Sequence, residues 1–180
     1  SRRASRTRTA FPAAKTRYRH LNVERLLRGD PLVVPSLGKA ILALIDATNV
    51  PLGGSTVSVL ANSETFCRPI EALLRARGAT THRFAPFQPG THRADGIARS
   101  DVVIAALGCG GCIGPEYVRP GAVLIDVGIA KDADDKLRGD FSPEAQQASG
   151  WFTPVPSGVG PMTVAMLLEN VVEAAKRRAT

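Results

Sequence analysis

Residues 153–163 read Thr-Pro-Val-Pro-Ser-Gly-Val-Gly-Pro-Met-Thr. Three prolines and two glycines in eleven positions exclude a helix or a central strand across this run. Proline fixes φ and removes a backbone donor, while glycine opens regions of φ/ψ space closed to other residues. The stretch that follows, Val-Ala-Met-Leu-Leu-Glu-Asn-Val-Val-Glu-Ala-Ala-Lys from Val164, spaces its apolar residues at the helical period and ends basic. The sequence therefore predicts a rigid loop that delivers the chain into a helix N-terminus, where backbone N–H groups can face an anion.

Upstream, apolar runs alternate with helical patterns. Residues 21–31 form a short helical pattern stopped by Gly29 and Pro31, and residues 39–47 an amphipathic helix with Ser36 as its expected cap, closed by Gly53 and Gly54. Strands are expected at 55–61, 79–84, 101–108, 122–129 and 151–153, with a helix at 68–78 closed by Gly78. Near-continuous apolar strands separated by helices imply a parallel sheet covered on both faces. The expected fold is α/β: a Rossmann-like, doubly wound parallel sheet occupying residues 21–180.

Charge divides the chain at residue 20. Arg2, Arg3, Arg6, Arg8, Lys15, Arg17 and Arg19 lie in residues 1–20, which contain no Asp or Glu. Removing those seven from the 23 basic groups leaves 16, matching the 16 acidic groups of the remainder, so the whole net charge of +7 sits in the arm. Such asymmetry points to a polyanion-binding arm or a targeting remnant. Its composition shows no amphipathic period and alone supports no packed structure. No apolar run approaches the ~20 residues needed to span a bilayer. Three cysteines, an odd count, do not make a disulfide scaffold.

The run at 153–163 closely resembles the C-terminal signature of the bifunctional methylenetetrahydrofolate dehydrogenase/cyclohydrolase family, with Ser157 standing where that family has glycine. Val123-Leu-Ile-Asp-Val-Gly-Ile129, Gly139-Asp140, Arg119-Pro-Gly-Ala122 and Thr163-Val-Ala-Met-Leu-Leu-Glu-Asn170 match its pattern as well. The resemblance covers about residues 21–178 and is to the nicotinamide-cofactor-binding domain. It implies cofactor contacts at Asn62, Ser63, Gly108, Ile129, Gly158, Gly160 and Thr163. NADP or NAD is the cofactor class it offers.

Departures from the pattern weigh against that cofactor. The family's Gly-Arg-Ser loop after the first strand is Ala61-Asn62-Ser63 here, and its second glycine is Cys67. Arginine's planar fork suits a ribose 2′-phosphate, and asparagine cannot supply the charge. Glu64 adds a negative charge on the phosphate path, Ala85-Pro86 replaces a His-Ser pair, Ala130 replaces an asparagine, and Ser36-Leu37-Gly38 replaces Cys-Thr-Pro. The sequence thus predicts degraded NADP binding and most simply no cofactor, with a loop retuned for NAD as the alternative. The catalytic lysine and tyrosine of the family belong to an N-terminal domain, and only the basic arm precedes Leu21. Lys15-Thr-Arg-Tyr18 has them in the reverse order and carries no catalytic assignment.

Other chemistry is sparse. Cys109-Gly-Gly-Cys112 offers a redox pair or half a zinc site, but the remaining Cys67, His82 and His92 lack the spacing of a second ligand pair, so an ordinary Gly-rich loop is expected. His82 and His92 have no partner acid or serine at a recognisable spacing. Asp126 and Asp140 are expected to position the fold. No catalytic or metal-binding residue is assigned.

Two functions stand. The first is a non-catalytic Rossmann-like subunit recruited into a larger mitochondrial, matrix-side assembly, its arm (Arg2 to Arg19) gripping RNA or neighbouring subunits of a mitochondrial ribosome, respiratory-chain or ATP-synthase complex. An Arg/Ser-rich, acid-free leader is what mitochondrial import uses. The alternative is an NAD(P)-dependent methylenetetrahydrofolate dehydrogenase/cyclohydrolase that works with a separate catalytic half.

Overall fold

The computed structural model describes residues 21–91 and 93–179. Its elements, in chain order, are α1 (21–27), α2 (Ser36–Asp46), β1 (Thr56–Ala61), α3 (Glu64–Ala76), β2 (Thr80–Phe84), α4 (Ala94–Ile97), β3 (Val102–Ala106) and β4 (Val123–Asp126). The short pair β5 (Ala130–Lys131) and β6 (Leu137–Arg138) follows, then α5 (Pro143–Ala148), β7 (Trp151–Phe152) and α6 (Val159–Ala179). A 3₁₀ turn spans Pro115–Tyr117.

Five strands form one parallel sheet in the order β2-β1-β3-β4-β7. Alternation along each central strand feeds two cores. Val57, Val59, Val102, Ile104, Val123 and Ile125 face α2 and α3, while Leu60, Val103, Ala105 and Leu124 face Phe87, Ile97, Tyr117 and Phe141 on the opposite side. Burial on both faces is why these strands read as continuous apolar runs. The expected doubly wound α/β sheet is the observed fold.

Several boundaries differ from the sequence expectation. α3 begins at Glu64 and carries Pro69 inside it, where the missing N–H removes the bond to the Thr65 carbonyl. Ser36 is not the cap of α2: Pro35 occupies that place, and no side chain caps the helix. α6 starts at Val159, within the Pro/Gly run. Pro161 is tolerated there because first-turn N–H groups have no intrahelical acceptor. α6 packs on α2, tied by Lys39 Nζ to Glu169 at 3.1 Å and Glu173 at 3.0 Å. No helix among the described residues is long and apolar enough to cross a membrane.

Candidate functional site

In a parallel sheet the carboxyl ends of all strands lie at one edge, and a crevice opens where the connections run in opposite directions. Here that point falls between β1, whose next strand is β2 on one side, and β3 on the other. The loops after β1 and β3 form its walls. Asn62 crosses between them: its Nδ2 donates to the Leu107 carbonyl over 2.6 Å. The side chain that stands where the resemblance places an arginine is therefore spent on the scaffold.

Beside it, α3 presents its N-terminus. Ser63 is extended (φ −149°, ψ 147°) and exposed, and its hydroxyl makes no capping bond. Glu64 follows as the first helical residue, placing its own carboxylate at the positive end of the helix dipole. Arg83, near the carboxyl end of β2, lies with Nη1 3.4 Å from Glu64 Oε2. Its Nε donates to Glu71 Oε2 at 2.9 Å, and Nη2 also contacts that oxygen. The Glu71 side chain is 3% exposed, so this cation is committed to a buried carboxylate.

The other half of the edge is organised by two aspartates. Asp126, the last residue of β4, accepts the backbone N–H of Asp140 at 3.0 Å and of Phe141 at 3.1 Å. Thr153 Oγ1, just beyond β7, accepts the Asp126 N–H at 2.7 Å. Asp140 in turn accepts Leu107 N–H at 2.6 Å and Cys109 N–H at 2.8 Å, fixing the loop after β3. Burial pushes the Asp126 carboxyl up to about 6, against the backbone hydrogen bonds that favour its charge. The clamp needs glycine at both approaches: a Cβ on Gly128 would lie 1.8 Å from Asp140 Oδ2, and one on Gly139 2.0 Å from Asp126 Oδ2.

Sequence-predicted positions divide accordingly. Asn62, Gly108 and Ile129 are brought together around the crevice, Gly108 lying where a Cβ would sit 3.5 Å from the Ile129 carbonyl. Ile129 is 58% exposed. Gly158 ends the loop after β7, whose Val155–Pro156 bond is cis, and Gly160 and Thr163 lie in the first turns of α6. Thr163 Oγ1 donates back to the Val159 carbonyl at 2.8 Å. His82 is an exposed β2 residue. Arg2, Arg3, Arg6, Arg8, Lys15, Arg17, Arg19 and His92 lie outside the described residues.

One expectation is corrected. Cys109 and Cys112 are not an ordinary loop pair but are joined as a disulfide. Sequence reasoning also missed the Asp140 link to Leu107 and Cys109. Its available signal was a glycine next to each aspartate's approach, in Asp126-Val-Gly128 and Gly139-Asp140. Cys67, fully buried, is a free thiol that burial, seconded by Glu71, pushes up to about 11. Among the described residues no His/Cys/Asp/Glu group is gathered as a metal site.

The sequence profile of the tetrahydrofolate dehydrogenase/cyclohydrolase NAD(P)-binding domain matches residues 35–179. The chain belongs to this family. It is 39% identical over 166 residues to the bifunctional protein FolD of Rhodobacter capsulatus, covering 87% of this chain and 53% of that protein. FolD of Bordetella petrii is 40% identical over 163 residues, with 88% and 53% covered. The chain thus spans about half the length of the curated relatives it matches. Among solved structures, the Campylobacter jejuni FolD superposes with a TM-score of 0.80 at 32% identity, over 88% of this chain and 56% of that one. The Trypanosoma brucei FolD, complexed with NADP cofactor and inhibitor, gives 0.79 at 33%, over 88% and 57%.

The family's cofactor can be tested against these residues. The glycine-lined edge at Gly108 and Gly158, the open Ser63 hydroxyl and exposed Ile129 fit the backbone of a dinucleotide. A 2′-phosphate does not fit: Asn62 is neutral and turned onto Leu107, Glu64 is anionic, and Arg83 is committed to Glu71 and Glu64.

Proposed function

We propose that this chain is a nicotinamide-dinucleotide-domain module that performs no folate chemistry by itself and serves as a supporting part of a larger protein body. The observation that carries this reading is the fate of the carboxylates at the strand ends. Asp126 and Asp140 accept backbone N–H groups, and Glu64 pairs with Arg83, so each is already engaged within the fold. A general base must reach the proton it takes; Asp126 and Asp140 are buried, and Glu64, though exposed, is paired with Arg83.

The surface supports the same reading. Val164, Leu167, Leu168, Val171 and Val172 are 52–62% exposed and form one stripe along α6, at the i, i+3, i+4, i+7 spacing of a buried face. A contiguous apolar stripe marks a covered surface. With relatives about twice as long, a second protein body is the cover we assign. The mitochondrial assembly and the RNA or subunit contacts of the basic arm belong to this proposal and rest on residues 1–20 alone.

A second reading is favoured by the intact loop into α6 and by the NADP complex of the T. brucei relative: a cofactor half that turns over once a folate-binding half is supplied. Both readings meet one experiment. The purified chain is assayed for methylenetetrahydrofolate oxidation with NAD and with NADP, alone and mixed with the folate-binding half of a relative. No turnover in any mixture supports the first reading, turnover only in the mixture the second. Turnover by the chain alone overturns both.

A further inference from the structure

We propose that Cys109 and Cys112 form a reversible thiol–disulfide site, open to an external dithiol, whose reduction loosens the loop that walls the crevice at Gly108. The two residues are disulfide-bonded, with Cα atoms 5.7 Å apart. Gly110 and Gly111 between them both have positive φ (63° and 78°), the left-handed backbone that curls the turn tightly enough to bring the sulfurs together. Cys109 is exposed, whereas Cys112 is half-buried against the core that contains Ile113 and Phe141. Cys67 takes no part: it lies fully buried in the other core.

The asymmetry sets the direction of exchange. Access favours attack of an incoming thiolate on Cys109 Sγ. The S–S bond breaks, its electron pair leaves on Cys112 Sγ, and that sulfur takes a proton from water. The second thiol of the reductant then displaces Cys109 from the mixed disulfide, leaving two protein thiols and one reductant disulfide. Cys112 suits the leaving role because Asp140 Oδ1 lies 3.5 Å from Cys109 Sγ and disfavours negative charge there. The reduced Cys109 thiol can donate to that same oxygen, so both redox states have a partner for this sulfur.

Asp140 also connects the site to the crevice, because it accepts Leu107 N–H and Cys109 N–H on either side of Gly108. Removing a cross-link restores entropy to the opened loop, so opening becomes about tenfold more frequent.

The test uses the full chain purified without reductant. Alkylation followed by peptide mass analysis should find no modified cysteine, then Cys109 and Cys112 modified after dithiothreitol, and neither once oxidised dithiothreitol is supplied in excess. Amide exchange at Leu107 and Cys109 should rise about tenfold on reduction, and C109S/C112S should exchange at the faster rate regardless of redox buffer. Alkylation of Cys109 and Cys112 before reduction, or exchange rates equal in the two states, overturns the proposal.

Discussion

The backbone amide of Asp140 donates to the carboxylate of Asp126 across 3.0 Å, while the carboxylate of Asp140 turns the other way to hold Leu107 and Cys109. One strand end thereby positions the loop of its neighbour, and this half of the crevice wall is held by two buried carboxylates that each accept backbone N–H groups.

Asp126→Asn tests the first link through pH. Folded Asp126 keeps its proton up to about pH 6, against an ordinary value of 3.8. Stability from this group is full below about pH 3.8 and is lost as pH rises through 6, because the folded state binds the extra proton. The advantage of wild type over Asp126→Asn should therefore narrow by roughly 2–3 kcal/mol between pH 4 and pH 7. Urea melts of both proteins at each pH measure it; a difference that widens with pH contradicts the assignment.

Asp140→Asn tests the second link. An amide offers one acceptor oxygen where the carboxylate uses two, and its NH₂ must face a backbone N–H. The loss should be roughly 1–3 kcal/mol, with faster amide exchange confined at first to Leu107 and Cys109. Uniform loss of protection across β3 would show a different role.

Ser157 has φ 88°, a conformation that costs a non-glycine residue energy. Ser157→Gly should raise stability by about 1 kcal/mol, read as a higher urea midpoint at unchanged slope. An unchanged or lower midpoint would mean that the serine is not strained there.

The sheet was legible because strands buried on both faces carry unbroken apolar runs such as Val-Val-Ile-Ala-Ala and Val-Leu-Ile. The short elements β5, β6, α4 and α5 were not, because they carry neither an apolar run nor enough residues to show a period. The start of α6 was missed because proline is a breaker in a helix interior yet harmless in a first turn. At the site, residue identities implied a crevice without its arginine, but the bond from Asn62 to Leu107 joins two loops 45 residues apart and leaves no mark in the local pattern. The Cys109–Cys112 bond was illegible since spacing alone does not separate a disulfide from a glycine-rich loop.

Asn62→Arg should reverse the departure at the crevice. It supplies a planar cation and frees the Leu107 carbonyl, and a charged hydrogen bond is worth about 1.5–3 kcal/mol. NADP affinity should rise roughly tenfold to a hundredfold over wild type, while NAD affinity changes little. Equal gains for both dinucleotides would place the 2′-phosphate elsewhere.

Calorimetric titration of NADP into the full chain tests most directly whether the crevice has turned its polar groups inward. With Asn62 on Leu107, Arg83 on Glu71 and Glu64 at the head of α3, no saturable heat should appear at micromolar NADP. A micromolar dissociation constant for NADP would contradict the account.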